Sequence, residues 1–127
     1  PSMHARQADV YGKVQRNAMT DREAEAAALM KAAALLKHCQ SNWAAADREA
    51  VLDKALKFNQ RLWTFFQVAL TDPENPLPRA IKENVLSLSL FIDKRIFEVM
   101  AYPSPDKLDI LININTNIAA GLKGSVA

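Results

Sequence analysis

Apolar residues recur every three or four positions along most of this chain, and the breaks in that pattern divide it into about four helices. Residues 3–19 are mixed and mostly polar, with Val10, Tyr11 and Val14 as the only sizeable apolar cluster, so residues 1–19 read as a polar N-terminal arm. The first clear helix spans roughly 20–40. It opens on Thr20-Asp21-Arg22-Glu23, a capping-box spacing in which Thr20 and Glu23 can satisfy each other's orphan amides. Ala26, Leu29, Met30, Ala33 and Leu36 then share a face, and the alanines keep that face narrow enough for a neighbouring helix to approach closely. Trp43 falls in the connection that follows.

The second helix, 47–71, gives the strongest periodic signal. Asp47 is placed to cap it, and Leu52, Ala55, Leu56, Leu62, Trp63, Phe66, Ala69 and Leu70 keep the spacing of three and four. It ends at Asp72-Pro73, because proline disfavours helical geometry in the residue before it. The loop through Asn75-Pro76-Leu77-Pro78 is stiffened by three prolines. A third helix, 78–101, carries Ile81, Val85, Leu88, Ile92, Ile96 and Val99 on one face. At its centre, Val85 to Ile92, it is apolar on nearly all sides, which predicts a buried middle helix. Ser104 and Pro105 supply a cap and a first-turn proline for the fourth, 105–122, with Leu108, Leu111, Ile112, Ile118, Ala119 and Leu122 as its stripe. The alternation of Ile110, Ile112 and Ile114 leaves a strand as the competing reading over 108–115. Gly121 and Gly124 mark its end, and residues 123–127 read as a flexible tail. The expectation is a small all-α bundle in one domain over 20–122, with Pro1 and Ser2 as cloning residue ahead of Met3.

Length and charge narrow the function. One hundred and twenty-seven residues, half of them apolar, suit a single core. Sixteen basic residues against fourteen acidic give a formal charge of only +2, too little to nominate a polyanionic partner. Cys39 is the sole cysteine, so no internal disulfide can form, and with two histidines it cannot build a tetrahedral metal site. This fits a reducing, cytoplasmic setting without cofactor or metal. No apolar run approaches the ~20 residues of a membrane span, and the amino terminus lacks a signal-peptide core.

No catalytic motif is present: there is no phosphate-cradling glycine loop, no His-Glu-x-x-His and no paired nucleophile and base. His38 and Cys39 are helical neighbours whose side chains diverge. Asn59 and Asn115 interrupt the apolar stripes of the second and fourth helices, where a buried amide needs a hydrogen-bond partner; an amide network between the two helices would supply one. Phe58 and Phe65, a heptad apart, add a second apolar line beside Trp63. Phe91 on the third helix and Ile110 and Ile114 on the fourth also exceed one buried face. These five are the expected partner surface if the third helix is not buried all round.

The segment Phe58-Asn59-Gln60-Arg61-Leu62-Trp63-Thr64-Phe65-Phe66, the loop Asn75-Pro76-Leu77-Pro78 and the closing Leu111-Ile112-Asn113-Ile114-Asn115 through Gly121-Leu122 resemble the FlaF family of flagellar regulators. The likeness runs from Met3 to Leu122 and is most specific at Asn59, Leu62 and Trp63. It implies a cytoplasmic, non-enzymatic protein that promotes flagellin production and secretion, acts as a chaperone for flagellin and opposes the translational repressor FlbT. A helical protein with surplus apolar lines can cover an amphipathic helix of such a client. Two other readings stand beside it. Lys54, Lys57 and Arg61 on one flank would serve an RNA-binding regulator of flagellin messenger RNA, although Asp47, Glu49 and Asp53 interleave with them. The surplus apolar lines would otherwise close a homodimer, making the protein a structural adaptor.

Overall fold

The computed structural model describes the backbone of residues 3–126 and the side chains of residues 21–124. Four α-helices follow one another: α1 (Met3–Ser41), α2 (Arg48–Thr71), α3 (Arg79–Ala101) and α4 (Asp109–Val126), the last preceded by a single 3-10 turn, Pro105–Leu108. No strand occurs among the described residues, so 108–115 is helical. Ile110, Ile112 and Ile114 follow the helical pattern because Leu111, Asn115 and Ala119 face the core at spacings of four, which a strand pairing could not bury. Pro1 and Ser2 lie outside the described residues.

Two helix boundaries differ from the sequence expectation. α1 does not begin at Thr20 but seventeen residues earlier, at Met3. Residues 3–19 hold no proline and one glycine, and their Ala, Arg, Gln, Met and Lys residues are good helix formers. Low hydrophobicity had signalled an arm, yet a polar sequence of high propensity extends a helix already nucleated by its apolar half. The side chains of the Thr20 capping box fall outside the described residues. At the other end α4 runs through Gly121 and Gly124 to Val126. Neither glycine adopts positive φ, and a Cβ at either would meet nothing within 4 Å, so no left-handed cap stops the helix there.

α1 packs along α4 and against α2, and α2 packs along α3. α4 runs antiparallel to α1: the Gln40 amide near the end of α1 donates to the Pro105 carbonyl (2.9 Å) and to the Asp109 carboxylate (2.6 Å) at the start of α4. Ala26, Leu29, Ala32, Ala33, Leu36 and Cys39 form the buried face of α1. Met30, placed on that stripe by its spacing, is exposed instead; Ala32 takes the position, and its small side chain lets α2 come close. The third helix is not buried all round. Ile92, Ile96 and Val99 face the core, while Leu90 (67% exposed) and Phe97 (72%) point to solvent on the opposite side. α3 has one helical neighbour along its length, α2, and that contact consumes a single face.

Local chemistry explains the ends. α2 stops at Asp72, whose backbone is extended ahead of Pro73. Asn75 then closes the loop in two directions: its Nδ2 donates to the Ala69 carbonyl in the last turn of α2 (3.0 Å), and its Oδ1 accepts from the Leu77 amide (3.0 Å). Asp47 stands at the N-cap of α2 but makes no side-chain capping bond, and the Ser104 hydroxyl donates to the Asp106 carboxylate instead of capping the following turn. That bond, formed by the charged carboxylate, holds Asp106 below the usual carboxylate range.

One acidic group on α1 works against folding at neutral pH. Burial, then the neighbouring Asp21 charge, raises the Glu25 pKa, with Arg22 opposing. The folded protein therefore holds this proton to higher pH than the unfolded chain does. Stability linked to it is present below the ordinary carboxylate range and is lost as pH rises through the folded value. Glu25→Gln is expected to melt slightly higher than the parent at about pH 7 and at the same temperature by about pH 3; a thermal series across that range checks it.

Candidate partner-binding surface

A buried chain of hydrogen bonds fixes the geometry from which the outer surface is presented. Trp63 Nε1 donates to Asn115 Oδ1 (2.8 Å), Asn115 Nδ2 donates to Asn59 Oδ1 (2.6 Å), and Asn59 Nδ2 donates to the carbonyls of Ala55 (2.9 Å) and Ala32 (3.3 Å). All three side chains are buried. The chain links α1, α2 and α4, and it leaves the two amide oxygens and the indole N–H satisfied where water cannot reach. Leu62 flanks it, half-buried against the core. The Phe66 ring meets Trp63 edge-on at 5.4 Å.

With Trp63 turned inward, Phe65, two positions on and so on the opposite side of α2, is turned outward. Phe65 is 60% exposed and touches the protein through an edge contact with Phe66 at 5.9 Å. Val68, one turn on, is equally open. Phe58, on the same flank as Phe65, is half-buried beneath the Lys31 ammonium at 5.0 Å from its ring centre. Phe91 on α3 and Ile110 on α4 are each 37% exposed, and the Arg95 guanidinium lies 5.5 Å from the Phe91 ring. Ile114 is half-buried and packs on the core. The five expected residues thus form an α2 line, Phe58 and Phe65, and an α4 line, Ile110 and Ile114, with Phe91 beside Arg95 on α3. Among the described residues no ring contact joins Phe91 to the α2 aromatics.

Sequence reasoning missed Leu90, Phe97 and Val68, which are more exposed than any of the five. Leu90 and Phe97 are a heptad apart and opposite Ile92 and Ile96, so the helical period itself marks them as a second face. The basic flank of α2 is partly neutralised, since Lys57 pairs with Asp53 at 2.8 Å. Cys39 is buried, and burial raises its pKa, which keeps the thiol protonated; His38 is exposed on the other side and contacts Asn42. No group of three metal-ligating side chains occurs among the described residues, and no described helix is long and apolar enough to cross a membrane.

Among known proteins, the family model described as Flagellar protein FlaF matches residues 7–122. No curated protein and no solved structure matches the chain.

Proposed function

The chain belongs to the FlaF family of flagellar proteins, and from that premise we propose that it is a non-enzymatic cytoplasmic regulator of flagellin synthesis and secretion. It binds flagellin as a chaperone and thereby opposes repression by FlbT. The observation that carries this reading is the outward Phe65, a large aromatic left 60% exposed beside Val68 on the helix that also holds the buried polar chain. Beyond its edge contact with Phe66 a monomer gains little from such a residue, whereas an amphipathic helix laid across α2 would bury it. Flagellin, whose terminal helices are amphipathic and must be kept from premature assembly, offers such a helix.

Phe65→Ser tests the reading. Because Phe65 lies outside the core cluster, the helical circular-dichroism signal and melting temperature should stay near those of the parent. Flagellin binding, followed by calorimetry, should weaken by about 1–3 kcal/mol, and Ile110→Ser should act in the same direction. Salt should change the affinity little, since apolar contact carries it. Unaltered binding by a folded Phe65→Ser protein would place the flagellin surface elsewhere.

A further inference from the structure

The outward side of α3 is patterned as a second seam. Leu86, Leu90, Asp93, Phe97 and Met100 recur at spacings of four and three, which keeps a stripe in line along one side of a helix. Leu90 and Phe97 are its most open members, Met100 is exposed, and Leu86 is half-buried without joining the core cluster. The stripe runs beside α2, because Asp93 at its middle accepts a hydrogen bond from the Gln67 amide (2.9 Å). Phe65 lies two positions before Gln67 and so on the other side of α2, which makes the seam a surface distinct from the proposed flagellin face.

Symmetry and charge together say what covers it. Counted outward from the Asp93-Lys94 step, Leu90 and Phe97 stand at equal distances, and Leu86 and Met100 at distances differing by one residue. The stripe therefore carries the same chemistry read in either direction: two apolar side chains, a charged pair, two apolar side chains. Such a surface is complementary to itself turned about a two-fold axis, where residue i meets j and j meets i. The charges fit the same axis. Lys94 is exposed and enters no ion pair among the described residues, while Asp93 gives one carboxylate oxygen to Gln67 and pairs with no cation. Adjacent residues on one helix do not face each other, but an antiparallel copy centred on that step brings each Asp93 to the other's Lys94. Nucleic acid or acidic lipid would gain nothing from an apolar stripe that carries one acid beside one base.

We propose that the outward side of α3 is a homodimer interface. Two copies pack α3 antiparallel about the Asp93-Lys94 step, with Leu90 against Phe97 of the second copy, Leu86 against its Met100, and two reciprocal Asp93 to Lys94 ion pairs across the axis. Contact confined to one helix per copy places it among small interfaces, under about 1,200 Å² in total, so the dimer is reversible and forms as concentration rises. Sedimentation velocity of the full-length protein, across a dilution series from the micromolar to the millimolar range, should show a monomer passing to a dimer. Leu90→Ser with Phe97→Ser should stay monomeric throughout and keep the parent's helical signal and melting temperature, since both side chains are exposed. Lys94→Asp and Asp93→Lys should each weaken self-association at least about tenfold. An equimolar mixture of those two variants should associate more tightly than either alone, because the mixed pair sets two acids against two bases. The mixing measurement decides the matter even where the serine pair disturbs folding. Phe65→Ser should leave dimerisation unchanged, which separates failure here from failure of the flagellin surface. A monomer at every concentration, a dimer indifferent to the serine pair, or a mixture no tighter than its components would overturn the proposal; flagellin binding lost in the serine pair would then assign the stripe to the client.

Discussion

Trp63→Ala is expected to destabilise the domain by about 3–5 kcal/mol for loss of the buried ring alone, and by more once the hydrogen bond is counted. Trp63 is fully buried, packs edge-on against Phe66 and gives its indole N–H to Asn115. Truncation opens a cavity at the junction of α2 and α4 and leaves Asn115 Oδ1 without its donor, a further cost of about 1–3 kcal/mol. Domains of this kind are stable by only about 5–15 kcal/mol, so the variant should be largely unfolded or melt far below the parent. Trp63→Phe separates the two terms, because it keeps most of the ring volume and removes the donor. Denaturant unfolding should rank parent, Trp63→Phe, Trp63→Ala in falling order; an unchanged midpoint for the alanine variant would remove Trp63 from the core.

Asn59→Leu carries the second large effect. The leucine is apolar and of similar size, yet it strips Asn115 Nδ2 of its acceptor and ends the bond to the Ala32 carbonyl of α1. A loss of about 1–3 kcal/mol follows from the orphaned amide. Replacing both amides, Asn59→Leu with Asn115→Leu, should cost less than the sum of the two single changes, since each single variant strands a buried partner that the double variant removes. The shortfall is a coupling energy of about 0.5–3 kcal/mol, measurable in a double-mutant cycle. Strict additivity would show that the two amides do not act as a unit.

Both residues were visible before any coordinates, because a polar side chain on a stripe of period 3.6 is an anomaly that the period itself exposes. The positions of α2 and α3 were legible for a related reason: Asp72-Pro73 and Tyr102-Pro103 break the chain where helical geometry cannot continue. What the sequence concealed was the environment of each face. Val85 to Ile92 is apolar on nearly all sides, and that composition looks the same whether a helix has neighbours on every side or leaves Leu90 to solvent; only the count of packed helices decides it. The start of α1 was hidden because low hydrophobicity does not report backbone conformation, which helix propensity governs.

The three-helix hydrogen-bond chain has a counterpart in what it omits. α1, α2 and α4 are locked to one another through polar atoms that tolerate a single register, but α3 contributes no side chain to that lock; it rests on α2 through apolar contact and the Gln67–Asp93 bond, and on the 3-10 turn through the Arg95 bond to the Lys107 carbonyl. Native-state hydrogen exchange should therefore show α3 opening at lower cost than the unit formed by α1, α2 and α4. Leu90 and Phe97, the open apolar residues, ride on that looser helix. A partner that seized them would bind the segment with the greatest freedom to adjust, and its affinity would be set as much by the order it imposes on α3 as by the area it covers.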